Sequence, residues 1–201
     1  MKKKNLFIAL SAVALLGIGT TACSSSSSNN SAKNSKTSTI SQNKDLRNKY
    51  DKIQVGELSN HGEGGYTVKQ VEDLLGKPTS TSETTVTNYK VKDEIWNKGE
   101  VTITIQTESD KVVSKDITGF KWTGRPAKLT LAAYNSLQDG ASYDDVVKQY
   151  GEPDSLNESL LLGKKTQTAT WLTGVKGKSG ANATLTFENG QLTSKVQSDL
   201  S

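Results

Sequence analysis

Few residues of this 201-residue chain have types and spacing that could support chemistry. The single histidine, His61, lies with Glu63 in the Gly-rich stretch HGEGG, where the two could form a base or part of a metal site. The chain offers no second histidine to complete the site, and a His–Glu pair alone is a poor ligand set. HGEGG also lacks the Lys-Ser/Thr ending of a phosphate-binding loop. The pattern predicts an exposed loop, with no metal and no cofactor.

The acidic pairs do not suggest a catalytic site either. Adjacent helix residues point about 100° apart, so neither Glu72-Asp73 nor Asp144-Asp145 converges on one substrate atom. Asp144 and Asp145 fit the first turn of a helix, where the helix dipole favours acids. The serines lie outside any Gly-x-Ser-x-Gly turn. We therefore expect that the protein is not an enzyme.

The N-terminal 22 residues have the organisation of a secretory signal. Three lysines are followed by a mostly apolar, uncharged run from Leu6 to Gly19, which is too short to span a membrane comfortably. Small residues then precede Cys23, the only cysteine. This arrangement resembles the lipobox of bacterial lipoproteins, although Thr20 stands where that family usually has Leu. The resemblance implies cleavage after residue 22, acylation of Cys23 and a lipid-anchored protein on the extracytoplasmic side of the membrane.

Residues 23–45 are rich in Ser, Asn and Lys and almost lack large apolar side chains, so we predict a disordered tether. The chain has 25 basic and 21 acidic residues, and removing the three lysines of residues 1–22 leaves 22 and 21. This near-neutral balance gives no support for nucleic-acid binding. The tether is basic, which would favour anionic lipid or wall polymer; a merely solubilising role is the alternative.

The remainder predicts two tandem units, 46–122 and 123–201. Similar residues recur at offsets of 84, 75 and 80 positions, a pattern typical of an internal repeat. The first unit has nine extra residues between Gly56 and Thr67, including HGEGG. The matched pairs are Tyr50 and Tyr134, Gly56 and Gly140, Thr67 and Ser142, Gly76 and Gly151, Pro78 and Pro153, Trp96 and Trp171, and Lys115 and Lys195.

Each unit is predicted to be α-α-β-β-β(-β), an α+β fold. A short helix ends before Gly56 or Gly140, and a second helix begins at a capping box and ends at Gly76 or Gly151. Alternation over Val101–Ile105 and 184–187 then predicts strands, and Asn189-Gly190 predicts a hairpin. One apolar and one Thr-rich face indicate an antiparallel sheet that helices cover on one side only.

The aromatic residues leave two interpretations open. Trp96 and Trp171 occupy equivalent strand positions; they are core residues if they face the helices, and partner-binding residues if they face outward. Trp122 lies between the units and could pack them together or contact a partner. The inserted His61 and Glu63 are further candidate partner-binding residues if their loop overhangs the sheet.

These motifs together resemble the beta-lactamase-inhibitor-protein-like family of tandem-repeat proteins, over nearly all of residues 46–201. In the inhibitors of this family, two units form a continuous sheet whose open face binds a protein. The resemblance therefore implies a protein-binding module that inhibits or modulates a beta-lactamase or another cell-envelope enzyme. The alternative is a wall- or glycan-binding spacer or envelope assembly factor, suggested by the basic tether and the three tryptophans.

Overall fold

The structure is a computed structural model that describes residues 34–201 except Thr87, with side chains from Asn43 onward. Within these residues, four α-helices and eight strands follow one another in the order α1-α2-β1-β2-β3-β4-α3-α4-β5-β6-β7-β8, with a short 3-10 helix, Leu58–Asn60, between α1 and α2. The helices are α1 Asn34–Lys52, α2 Val68–Leu75, α3 Leu131–Ser136 and α4 Tyr143–Tyr150. The strands are β1 Ser80–Val86, β2 Tyr89–Lys98, β3 Val101–Glu108, β4 Lys111–Thr118, β5 Ser155–Leu161, β6 Lys164–Trp171, β7 Gly177–Glu188 and β8 Gln191–Leu200.

All eight strands belong to one antiparallel sheet in sequence order. β4 pairs with β5 from Ser114–Ser159 to Ile117–Leu156, and this central pairing makes the sheet continuous. Burial alternates along the strands: in β3 the side chains of Val101, Ile103 and Ile105 are buried, and the residues between them are half-buried. Such alternation is expected where helices cover only one face of a sheet. The α+β antiparallel prediction is therefore confirmed.

The four helices pack on the apolar face and complete the core there. Tyr50 of α1, Val71 of α2 and Val146 of α4 belong to one buried cluster with strand residues from β2 to β8. The hydroxyl of Tyr50 donates a hydrogen bond to the Leu156 carbonyl at 2.7 Å, so α1 is fixed against the middle of the sheet. None of the helices in the described part of the chain is long and apolar enough to cross a bilayer.

The helix caps and hairpin turns are found at the residues where the sequence predicts them. Thr67 accepts a hydrogen bond from the Gln70 amide in a full capping box, and Ser142 accepts one from the Asp145 amide. The β7–β8 hairpin turns at Asn189-Gly190, both with positive φ, as the Asn-Gly pair predicts. Ser109 and Asp110 turn the β3–β4 hairpin in the same backbone region.

The first helix differs from the prediction at its start. α1 begins at Asn34, so residues 34–45 of the predicted tether are helical, and it ends at Lys52, before Gly56. Because Asn43 and Leu46 are half-buried, packing starts slightly before the predicted unit boundary at residue 46. The signal segment 1–22 and Cys23 lie outside the described residues.

The two halves of the described chain, residues 46–122 and 123–201, make several matching contacts. Two backbone amides, of Gly56 and Gly140, donate to the carbonyls of Val112 and Leu192, each at 2.8 Å. Both β3–β4 and β7–β8 contain a register shift at equivalent positions, after Gln106 and after Thr186. These contacts hold the start of each half against its last hairpin.

A buried polar cluster ties the halves together. Asp154 pairs with the Arg125 guanidinium of its own half at 2.7 Å and accepts a hydrogen bond at 3.3 Å from the backbone amide of Trp122, which belongs to the first half. Arg47 of α1 donates to the Pro153 carbonyl at 2.9 Å and is 2 % exposed. Charge-assisted bonds of this kind are shorter and stronger than neutral ones, so the two halves are joined by specific contacts as well as by the sheet.

Candidate binding face

The face of the sheet opposite the helices is the first candidate site. Its central positions carry Thr, Ser and Asn side chains of intermediate exposure. The register places on this face Thr102, Thr104 and Gln106 of β3, Asn157 and Ser159 of β5, Thr166, Thr168 and Thr170 of β6, and Asn182, Thr184 and Thr186 of β7. We call this surface the open face.

Asp116 lies at the centre of the open face. It is paired in register with Thr104 on β3 and with Asn157 on β5, so strands extend on both sides of it. Burial between these strands raises the pKa of its carboxyl to about 6, although the Asn157 side chain opposes this by hydrogen bonding. At neutral pH this position is therefore a partly desolvated carboxylate.

The charge of the open face is uneven. Asp93 is the other central carboxylate, and it accepts a hydrogen bond from the Gln106 amide at 2.9 Å. The basic residues at paired positions of this face, within the described strands, are Lys111 and Lys164 next to the turns. Lys164 is already paired with Glu188 at 2.9 Å. The centre of the open face is therefore acidic, and a cationic group would complement it.

The nine-residue insertion covers one end of the open face. Leu58 packs in a small buried cluster with Val91, whose register position is on this face, and with Val113, which lies at the register shift between β3 and β4. The Glu57 carboxylate accepts hydrogen bonds from the amides of Leu162 and Gly163 in the β5–β6 turn, both at 2.7 Å. Burial raises the pKa of Glu57, but hydrogen bonds from Ser59, Gly163 and Leu162 outweigh it and lower the pKa. The insertion is thus fixed to both halves.

The glycines of the insertion serve its close backbone packing. A Cβ on Gly56 would overlap the Gly62 carbonyl oxygen, and one on Gly65 would overlap the Val112 carbonyl oxygen. Glycine is required where two backbones approach this closely. The HGEGG stretch is therefore a compact loop.

His61 and Glu63 do not converge. The His61 ring is 69 % exposed and its Nδ1 lies 3.1 Å from a carboxylate oxygen of Glu108, not of Glu63. Glu63 is exposed and accepts from the Asn60 amide. His61 also packs edge-to-face on Tyr89, with ring centroids 6.2 Å apart. The two residues border the open face, so their predicted role in partner binding stays a prediction.

The structure places Trp96 and Trp171 in the core. Both are 0 % exposed, and their indole N–H groups donate to the carbonyls of Gly76 and Gly151, each at 2.8 Å. They stabilise the C-terminal ends of α2 and α4, because the last carbonyls of a helix lack partners within it. Of the two interpretations, the structure supports core packing over surface binding for these two tryptophans.

Trp122 is half-buried and bridges the halves. Its indole N–H donates to the Pro153 carbonyl at 3.2 Å, and its ring packs on Phe120 with centroids 4.7 Å apart. This position matches the predicted packing role between the units. Its partial exposure leaves the alternative of partner contact as a prediction.

The central carboxylates were missed by reasoning from the sequence alone. Asp116 follows the buried Lys115 in a strand of mixed burial. An acidic residue in a strand gives no sign of a binding site until the neighbouring strands are known. The available signal was its position two residues before Thr118 and two after Ser114, which places it on the polar face. Its central location depends on β4–β5 pairing between the halves, which no local motif specifies.

Comparisons with known proteins agree with the fold. The sequence profile of DUF3862, a domain of unknown function with solved structure, matches residues 42–200. A crystal structure from Streptococcus mutans, described as a "putative beta-lactamase inhibitor protein", is 33% identical with a TM-score of 0.69. The alignment covers 80% of this chain and 99% of that one.

A second structure is much less similar. An extracellular protein containing an SCP domain from Bacillus anthracis is 14% identical, over 73% of this chain and 54% of that one, with a TM-score of 0.27. A likeness at this level carries no argument. No curated protein matches the sequence.

Proposed function

We infer that this chain, which belongs to the DUF3862 family, is a non-enzymatic protein-binding module that inhibits or modulates a cell-envelope enzyme. The observation that carries the proposal is the open face: a polar, one-sided sheet with Asp116 at its centre, whose basic residues at paired positions of the described strands lie beside its turns. A partner that presents Lys or Arg side chains would pair with this acidic centre and exclude water from it.

The partner class comes from the similar protein. The Streptococcus mutans chain carries the description "putative beta-lactamase inhibitor protein", and its 33% identity extends over 99% of its length. This likeness supports an inhibitor-like role toward a beta-lactamase or a related wall-building enzyme. We propose that the open face is the contact surface and that the Glu57–Gly65 insertion borders it.

The matched contacts support two tandem units as the origin of the fold. Lys115 donates to the Tyr50 carbonyl at 3.2 Å and stacks over the Tyr50 ring, and Lys195 donates to the Tyr134 carbonyl at 2.9 Å and stacks over the Tyr134 ring. Together with the equivalent tryptophan bonds, these contacts favour a duplicated module.

The proposed location is the extracytoplasmic side of a cell membrane. It rests on the sequence of residues 1–23: a charged start, a short apolar run and a lone Cys23 for lipid attachment. A thioether-linked lipid would be accompanied by loss of residues 1–22, and mass spectrometry of the protein purified from cells tests both. An unmodified thiol at Cys23 would contradict the anchor.

Wall or glycan binding is the weaker alternative. This alternative was suggested by the basic tether and the three tryptophans, and two of the tryptophans have no exposed surface. Of the three tryptophans, Trp122 alone retains exposed surface that could contact a sugar.

The binding proposal is tested by reversing the charge of the open face. Asp116→Arg places a cation at its centre, where a long side chain can reach solvent. Gln149→Arg, on the exposed surface of α4, is the matched control. The full chain is used as bait in envelope extract, and each captured protein is purified and titrated by calorimetry; hydrolysis of a chromogenic beta-lactam is measured in parallel.

We expect wild type and Gln149→Arg to bind the same envelope enzyme with similar affinity and to slow its reaction. Asp116→Arg should weaken binding by about 3 kcal/mol or more, because like charges then face each other across the interface. A partner that binds all three proteins equally would refute the open face as the contact surface. Failure of every purified envelope enzyme to bind wild type would refute the inhibitor role.

A further inference from the structure

A second site lies on the helix-covered side of the sheet, at the edge of the first half. A cavity of about 400 Å³ opens between the start of α2, the β3–β4 turn and strands β1 and β2. Its lining includes Val68, Glu83, Lys92, Glu94, Thr107 and Asp110. A volume of this size is within the range of small-molecule sites.

Glu94 is the unusual member of the lining. Its side chain is 1 % exposed, and neither carboxylate oxygen has a hydrogen-bond partner among the described residues. The nearest cation, Lys92 Nζ, is 3.5 Å away and belongs to a side chain that is 49 % exposed. Burial raises the pKa of Glu94, which Lys92 opposes. Buried carboxylates are normally hydrogen-bonded, so this one requires an explanation.

In the second half, the positions equivalent to the cavity are occupied by apolar and aromatic side chains. The pairs Trp96–Ile103 and Trp171–Ala183 align the two halves, so Glu94 corresponds to Ala169. By the same register Thr107 corresponds to Phe187, and Val68 to Tyr143 after the two helix caps. Tyr143 packs edge-to-face on Phe187 with centroids 5.2 Å apart. One scaffold therefore carries an aromatic core in one half and a polar cavity in the other.

The polar groups that line the cavity indicate which class of ligand would fit it. The described residues contain no group of three or more His, Cys, Asp or Glu side chains placed to hold a metal ion. Glu94 has two oxygens available as acceptors, and Thr107 and Ser109 add hydroxyls to the lining. A planar guanidinium satisfies both oxygens of a carboxylate at once, and an ammonium satisfies one or two.

We propose that this cavity binds an organic cation, a guanidinium or ammonium group, with Glu94 as its anionic partner. The group replaces one long ion pair to Lys92 with short charge-assisted hydrogen bonds. This site is separate from the open face and does not depend on the proposed inhibitor role. The same head group could belong to a small molecule or to an Arg or Lys side chain of a protein, and the experiment distinguishes these sources.

The test uses the full chain and three probes: butylguanidinium, its uncharged analogue butylurea, and the peptide acetyl-Gly-Arg-Gly-amide. Binding is followed by backbone amide shifts of Glu94, Thr107 and Asp110 in NMR titrations. We expect saturable shifts with butylguanidinium and none with butylurea. Binding of the peptide as tightly as the free cation identifies a side-chain ligand; binding of the free cation alone identifies a small molecule.

Two variants and one control decide the role of Glu94. Glu94→Gln keeps the shape and removes the charge, and should weaken butylguanidinium binding about tenfold or more. Asp139→Asn removes an exposed carboxylate of the second half, away from the cavity, and should leave butylguanidinium binding unchanged. The double variant Glu94→Ala with Thr107→Phe copies the second half and should abolish binding.

The proposal fails if butylguanidinium causes no saturable shifts, or if butylurea binds equally well. Undiminished binding to Glu94→Gln would also overturn it. Thermal unfolding confirms that each variant is folded, and if Glu94→Gln does not fold, the double variant provides the same decision.

Discussion

The two halves of the molecule share a hydrogen-bonded scaffold but differ in what fills it. In both, a buried tryptophan donates to a glycine carbonyl at the end of a helix. Beside it, the second half packs Phe187 on Tyr143, whereas the first half has Thr107 and Glu94, whose carboxylate has no hydrogen-bond partner among the described residues. The hydrogen bonds to the glycine carbonyls are therefore the same in the two halves, whereas the side chains packed beside them are different.

The difference indicates that the second half mainly stabilises the fold, whereas the first half carries the candidate binding features. A packed aromatic pair contributes stability through buried area, and a buried carboxylate reduces stability unless a partner compensates it. The second half, with its packed aromatic pair, therefore contributes more to the stability of the fold at this place. The first half carries the inserted loop, the polar cavity and, in β4, the central Asp116 of the open face. Candidate binding features are thus concentrated in the first half.

The largest expected effect comes from opening the packed half. Phe187→Ala removes a ring that is fully buried, and should lower the free energy of unfolding by about 3–5 kcal/mol. Thr107→Ala, at the equivalent position, should cost less than about 1 kcal/mol, because its hydroxyl makes only a long bond of 3.5 Å to the Lys92 carbonyl. Urea unfolding of the full chain measures both, and equal losses would contradict the difference between the halves.

A second pair of variants tests the shared scaffold. Trp96→Phe and Trp171→Phe each remove the indole N–H and leave a glycine carbonyl without its donor. Each should cost about 1–3 kcal/mol, because the smaller ring leaves space in the core where a fully buried indole was and the hydrogen bond is lost. The same urea unfolding experiment gives both values. A large cost in one half with none in the other would show that the two bonds are not equivalent.

Local features of the fold could be predicted from the sequence, because they depend on residues close together in the chain. The capping box at Thr67, the N-cap at Ser142 and the Asn189-Gly190 hairpin are examples, since each is specified within four residues. Strand β1 was less evident: its Ser, Thr and Glu residues lack alternation, as is common for an edge strand that buries little.

Features that depend on distant residues could not be predicted. The direction of Trp96 required knowledge of strand register, and the pairing of β4 with β5 decides that Asp116 is central. The role of Glu94 becomes visible only when Val68, Thr107 and Asp110 surround it. The start of α1 at Asn34 was also missed, since Ser- and Thr-rich sequence has low helix propensity and gives no apolar stripe.

The smallest expected effect concerns the equivalent β4 and β8 positions Asp116 and Val196. Because the folded pKa of Asp116 is about 6 and its ordinary value is 3.8, the folded state holds more protons in this interval. The free energy of unfolding therefore falls as pH rises from about 4 to 6, and stays lower above that range.

Asp116→Asn removes the ionisation, so at pH 7 it should be about 1–2 kcal/mol more stable than wild type, a difference that disappears by about pH 4. Val196→Asn, at a position 66 % exposed, should change stability by less than about 0.5 kcal/mol at every pH. Urea unfolding at several pH values compares the three proteins, and the same pH slope in wild type and Asp116→Asn would mean that the central carboxylate is not desolvated by its neighbouring strands.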